Sequence, residues 1–359
     1  MNPTKALHAA GQSLWLDNIT RTILDDGTLA GYIADLGITG LTSNPTIFEK
    51  AIEGGGAYGE QVHACHEQGL GDEETFFEVA VADLQRAADL FLPAHEASAG
   101  VDGFVSLEVS PELAYDTAST IEQAVSLHAK AGRPNLFIKI PGTPEGLPAI
   151  EEAIYRGVPV NVTLLFSADQ YLAAAEAYHK GLDRRIAEGL SPDVRSVASL
   201  FISRWDVAAN EEVPEALHNR LGLAVGADAY RAYRELLDTD RFQKLANDGA
   251  RAQRLLFAST GTKDPGASDI LYVEGLAAPD TVNTMPESTL LAYADHGPAD
   301  PPMLPADGGD SAAVMQEFTD AGVDLGALAE KLQVDGAEAF VKSWKSLIGT
   351  IASERSAMG

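Results

Sequence analysis

Residues 136–143 read LFIKIPGT, and the position of one lysine in that run governs the reading of the whole chain. Leu136, Ile138 and Ile140 alternate with Phe137 and Lys139, which is the period of a strand. Pro141 and Gly142 then interrupt it. Taking an isolated ammonium out of water is costly. A buried strand carrying Lys139 therefore needs a polar lumen or cleft on that face.

Comparable runs lie on either side. LWLDNI (14–19), ITGLTSNP (38–45), FVSLEVS (104–110), PVNVTLLF (159–166), SVASLFIS (196–203), QRLLFAST (253–260) and ILYVEGL (270–276) all read as strands. Helical periods fill most gaps: 28–37 with Gly37 as its stop, 73–97, 112–131 closing at Gly132, 145–156, a helix capped by Ser167, and stretches through 205–249. Eight strands alternating with helices predict an α/β chain folded as a parallel (β/α)8 TIM barrel. The competing arrangement is an open doubly wound sheet. No G-x-G-x-x-G or G-x-x-x-x-G-K-[ST] motif supports it, and GGG at 54–56 and GTK at 261–263 lack the required context.

The 359 residues are expected to form one barrel domain, residues 1–359. Residues 49–72 and 205–250 exceed a minimal connection, and 296–310 is a loop rich in Pro, Gly and Asp. A helical extension, 311–359, is expected to pack on the barrel. Acidic residues outnumber basic ones by 53 to 25, a formal charge of −28, which argues against nucleic-acid or anionic-membrane partners. An anionic substrate would need a local basic pocket. With Cys65 as the lone cysteine, no intrachain disulfide can form; no apolar run reaches spanning length and the first residues lack a signal-peptide core. The expected location is cytoplasmic.

Strand parity sorts the side chains. Barrel strands alternate between lumen and helix layer, and catalytic groups sit at strand carboxyl ends. Val105, Leu107 and Val109 face the helices, leaving Ser106 and Glu108 inside; Val160, Val162 and Leu164 leave Asn161 and Thr163. Trp15 and Asp17 share a face, as do Thr42 and Asn44, and Ser199 and Phe201. Asp17, Asn44, Glu108, Lys139, Asn161, Thr163 and Ser199 thus gather late on six successive strands. A purely structural barrel fills its lumen with branched apolar side chains instead.

The residue types narrow the chemistry. HACH (63–66) is the nearest approach to metal spacing, and it lies in a helical connection without further ligands. No Ser-His-Asp order stands out. A lone lysine among carboxylates, amides and a hydroxyl suits covalent amine catalysis through a Schiff base. A structural ion pair of Lys139 with Glu108 or Asp17 is the plain alternative. Two other readings are a pyridoxal phosphate aldimine on Lys139 and a non-catalytic binding barrel.

GLTSNPTIF (40–48) and LFIKIPGTPEGLPAIEEAI (136–154) resemble the two transaldolase signatures, and VSLEVS and NVTLLFS resemble further strand segments in the same order. The resemblance runs from about residue 12 to 290 and, with the tail, is to the long bacterial form of the family. It implies a class I aldolase-like transferase of the pentose phosphate pathway, without metal or cofactor, acting on sugar phosphates. By position, Lys139 would be the Schiff-base lysine and Asp17 the acid/base at the C4 hydroxyl. Glu108 would act through a water held by Thr163. Asn44 and Asn161 would bind the ketose fragment, Ser199 and Phe201 would lie beside the sugar, and Arg204 would meet the phosphate. Ser259 fits the pattern, but the segment FASTGTKDPG lacks a second phosphate arginine. Lys263, with amides of the Thr260–Thr262 turn, is expected to serve instead. A fructose-6-phosphate aldolase-like enzyme is the nearest alternative within the resemblance. The oligomeric state and the task of the tail stay open at this level.

Overall fold

The computed structural model describes residues 2–53 and 56–357; Gly54 and Gly55 of the glycine run lie outside the described residues. Eight parallel strands close on themselves in chain order: β1 (Ser13–Asp17), β2 (Gly40–Thr42), β3 (Val105–Glu108), β4 (Leu136–Pro141), β5 (Val160–Leu165), β6 (Ser196–Phe201), β7 (Gln253–Ala258) and β8 (Val282–Met285). Strand β1 pairs with β2 on one side and β8 on the other, which seals the barrel. Short connections packed by helices make this the solution for strands whose helix-facing side is continuously apolar.

The eighth strand corrects the sequence reading. ILYVEGL is not a strand; Leu271–Gly275 is helical, and β8 lies some ten residues later. Ile270, Tyr272, Val273 and Leu276 are all buried, and a short apolar run of that kind is not assigned to strand or helix by periodicity alone. A second adjustment concerns the helix expected from residue 112. Pro111–Leu113 forms a 3-10 turn, and the helix proper is Thr117–Ala131, capped by Asp116. Gly37 and Gly132 do end their helices, with left-handed φ of 71° and 55°. Ser167 accepts from the Gln170 amide at the start of Ala168–Ala187.

Register fixes which side chains share the lumen. Glu108 lies beside Lys139 and Lys139 beside Asn161. Near the amino ends of the strands the lumen is plugged by aromatic rings. Phe104 stacks on Phe137 at 4.0 Å between centroids, and Trp15 lies 6.2 Å from Phe137. Gly40 makes room for this plug: a Cβ there would stand 2.7 Å from the Trp15 indole and 2.5 Å from the Phe104 carbonyl. Aromatic rings thus fill the middle of the lumen beneath its polar upper end.

Beyond β8 run the helices Ser311–Asp320 and Leu325–Ala357. The longer one passes the carboxyl ends of β4 and β5, where Gln333 Nε2 donates to the carbonyls of Gly142 (3.1 Å) and Leu164 (2.9 Å). It also packs on the helix Pro45–Glu53, with Thr46 donating to Ser343 at 2.8 Å. Among the described residues, no helix is long and apolar enough to cross a membrane.

Candidate active site

Lys139 is buried, with 4% of its surface exposed, although it sits near the end of its strand. Its Nζ lies 3.2 Å from Glu108 Oε2 and donates to the Ser43 carbonyl at 3.0 Å. Strand β3 and the residue that follows β2 therefore supply the polar partners that the lysine's burial demands. Burial raises the Glu108 carboxyl above its ordinary range; the ammonium of Lys139 opposes this, and the charge of Asp17 adds to it. Glu108 Oε1 and the Thr163 hydroxyl are both buried with no protein partner, one on each flank of the lysine.

Asp17 lies across the lumen on β1. Its Oδ1 accepts from the Thr42 hydroxyl at 2.6 Å, and Thr42 meets Thr284 at 2.7 Å. Burial raises the Asp17 carboxyl too, opposed by the Thr42 hydrogen bond and then by the charges of Lys139 and Lys263. Asn161 is fixed from both sides: its Nδ2 donates to Ser106 (3.1 Å), and its Oδ1 accepts from Ser199 (2.7 Å).

These groups meet a cavity of about 310 Å³ at the carboxyl ends of the strands. Asp17, Asn44, Lys139, Thr163, Ser199, Phe201, Arg204, Ser259 and Lys263 all border it, whereas Glu108 and Asn161 lie deeper, against Lys139 and Ser199. All of the sequence-derived candidates are thus brought to one place. Asn44 arrives differently from the parity argument. Strand β2 stops at Thr42, and Asn44 Oδ1 accepts from the Ile47 amide at the start of the next helix. Its amide nitrogen has no hydrogen bond to the described residues and is free to meet a ligand.

The backbone bends at two points around the rim. Leu164 and Ser259 both adopt left-handed φ, 60° and 55°. At Leu164 the β5–β6 register shifts between Val162 and Leu165, a bulge of the kind that re-aims side chains at barrel rims. Ser259 is held by Ser203, whose hydroxyl lies 2.9 Å from its own and whose amide donates to its carbonyl.

Sequence reasoning missed several wall residues. Thr42 and Thr284 hold Asp17, and the parity of Thr42 was visible beside Asn44. Lys50 adds a further cation at the mouth. Phe340 comes from the long tail helix, where nothing in the local pattern marks it as site-facing.

A larger cavity, about 650 Å³, opens at the opposite, amino-terminal end. Its central charged groups are engaged: Asp102 accepts from Ser13 and from Trp15 Nε1, and Arg254 donates to Ser13 and the Thr281 carbonyl, while the buried Thr39 hydroxyl is left without a protein partner. The upper cavity is the one that Lys139, Asp17 and Arg204 border. HACH lies on the helix Gly59–Glu67, where His63 pairs with Glu67 at 3.4 Å. No cluster of three or more metal-ligating side chains occurs among the described residues.

Residues 14–351 match the family profile described as Transaldolase/Fructose-6-phosphate aldolase. The chain is 44% identical over 360 residues to a transaldolase of Parafrankia sp. (strain EAN1pec), covering 98% of each. To the transaldolase of Thiobacillus denitrificans it is 43% identical over 359 residues, covering 98% of this chain and 100% of the relative. To that of Mycolicibacterium smegmatis it is 43% identical over 351 residues, covering 96% and 95%.

Proposed function

The chain belongs to the transaldolase/fructose-6-phosphate aldolase family, and on that premise we propose how its cavity carries the reaction. It is a transaldolase, a transferase that moves a dihydroxyacetone unit from sedoheptulose 7-phosphate to glyceraldehyde 3-phosphate, giving erythrose 4-phosphate and fructose 6-phosphate. The observation that carries the assignment of roles is a single amine, buried in a closed lumen and 3.2 Å from a carboxylate, facing a cavity at the catalytic end of the barrel.

Glu108 takes a proton from the Lys139 ammonium, and the neutral amine attacks the C2 carbonyl of the donor ketose. The carbinolamine hydroxyl leaves as water with the proton that Glu108 returns, through a water placed between Glu108 Oε1 and the Thr163 hydroxyl. Burial that raises the Glu108 carboxyl suits it to hold that proton. The iminium then accepts the electron pair of the C3–C4 bond while Asp17 takes the proton of the C4 hydroxyl. Aldose phosphate departs, and the enamine waits on Asn161, Asn44 and Ser199. A second aldose phosphate adds by the reverse steps, in ping-pong order. Arg204, Lys263 and Ser259 receive the phosphate in a basic patch of an otherwise acidic molecule.

Reduction with borohydride in the presence of fructose 6-phosphate tests this. A three-carbon adduct mapped to Lys139 is expected; an adduct on another lysine, or none, overturns the assignment. A fructose-6-phosphate aldolase would release dihydroxyacetone over many turnovers without acceptor, and Phe201 offers no hydroxyl on β6 to protonate the enamine. The whole chain is read as one barrel domain with residues 311–359 as its extension, and its place is the cytoplasm, in keeping with a single buried cysteine, Cys65.

A further inference from the structure

Arg204 makes neither an ion pair nor a hydrogen bond with any described residue, so its five donors are unspent. What holds it is aromatic. Its guanidinium carbon lies 5.1 Å from the Phe201 ring centroid and 5.9 Å from that of Phe340, and the two rings stand 6.4 Å apart at 62°. One ring belongs to β6, the other to the helix Leu325–Ala357.

That helix is held in register against the barrel. Gln333, Gly336, Phe340 and Ser343 follow at i, i+3, i+7 and i+10, so they share one face. Gln333 is tied to the strand-end carbonyls and Ser343 to Thr46. Between these anchors, Gly336 lets the helix pass close: a Cβ there would stand 3.0 Å from Arg204 Nη1 and 2.9 Å from Leu164. The guanidinium fits between helix and barrel because position 336 has no side chain.

We propose that Phe340 is a positioning residue for phosphate recognition: with Phe201 and Gly336 it fixes the Arg204 guanidinium in place, so the carboxy-terminal helix sets the preference for phosphorylated over unphosphorylated sugars. The proposal rests on the reading of Arg204 as a phosphate ligand. The chemical reason for rings rather than a carboxylate is competition. A carboxylate would position an arginine equally well but would take the same donors and cancel the same charge that a phosphate dianion needs. Two ring faces orient the cation and leave its N–H edge open. In a chain of net charge −28, no carboxylate of the described residues comes within ion-pair distance of that guanidinium; Asp335, on the same helix and paired with Lys331, acts on it only from farther away.

The test compares fructose 6-phosphate with fructose as donor, using unphosphorylated glyceraldehyde as common acceptor, and adds the inhibition constant for inorganic phosphate. Phe340→Leu keeps an apolar side chain but loses the ring. It is expected to lower the phosphorylated-to-unphosphorylated ratio of kcat/KM by about tenfold, mainly through KM, and to weaken inorganic phosphate similarly. Phe340→Tyr restores the ring and the ratio. Gly336→Ala is the second variant. Alanine favours a helix over glycine, so a lowered ratio without a lowered Tm separates positioning from stability. Equal losses on both donors, or an unchanged ratio in Phe340→Leu, overturn the proposal. Arg204→Met distinguishes the premise: an unchanged ratio there removes Arg204 as the phosphate ligand, whereas a lowered ratio there with no effect of Phe340→Leu removes the brace alone.

Discussion

Replacing Lys139 by methionine should leave a stability defect whose size depends on pH, and the reason lies in its partner. Glu108 and Lys139 have only 5% and 6% of their side chains exposed, so removing the ammonium strands a buried carboxylate. Breaking such a pair from one side costs about 3–5 kcal/mol. At ~2.1 cal/mol/K per residue, 359 residues give a Tm shift of about 1.3 °C per kcal/mol, hence a loss of about 4–7 °C near neutral pH. The carboxyl of Glu108 already stands above its ordinary value, and losing the Lys139 charge raises it further. A raised carboxyl binds its proton more tightly folded than unfolded. Its stabilising contribution is therefore full below the unfolded pKa and is lost as pH climbs toward the folded one. Each pH unit in that window is at most about 1.4 kcal/mol, so the defect relative to wild type should shrink as pH is lowered from neutrality toward the unfolded value. Thermal unfolding of both proteins across that range is the assay. Lys139→Met with Glu108→Gln should regain stability near neutral pH while remaining inactive. A defect of constant size across pH, or a double variant no more stable than the single one, would refute this account of the pair.

Two further expectations concern the opposite wall and the floor. Asp17 must be ionised to accept the C4 proton, and burial raises its carboxyl; activity should therefore rise with pH through a limb above the ordinary aspartate value. A kcat/KM profile checks this, and Asp17→Asn should lower kcat by about 10²–10⁴ and abolish that limb. Gly40→Ala puts a methyl group 2.7 Å from the Trp15 indole and 2.5 Å from the Phe104 carbonyl, and should cost about 3 kcal/mol or more, read as a lower Tm or loss of soluble protein.

Seven of the eight strands were legible because most have apolar residues at strand spacing on their helix-facing side, as with Leu14 and Leu16, Val105 and Leu107, or Ile138 and Ile140. Strand β8 was not. Its lumen face carries Thr284, and its other face carries Asn283, which accepts from Thr260 at 2.8 Å instead of presenting an apolar surface. With both faces partly polar over Val282–Met285, no alternation survives to be read. The candidate site groups were legible for the opposite reason: a buried lysine and two carboxylates break an apolar strand pattern sharply. Phe340 breaks nothing, since one more buried aromatic in a helix is the commonest kind of residue there. Its importance comes from a contact with Arg204, 136 positions earlier, that only the closed fold creates. The same holds for Gln333, whose amide reaches back to Gly142 and Leu164.

Translation proceeds from the amino end, so all eight strands leave the ribosome before the helix bearing Gln333 and Phe340. At that stage the carbonyls of Gly142 and Leu164 still lack their amide and Arg204 still lacks its second ring. On the proposed roles, the amine site would then be assembled before the phosphate grip, and a chain cut short after β8 would keep Lys139 but lack the Gln333 amide and the second ring on Arg204.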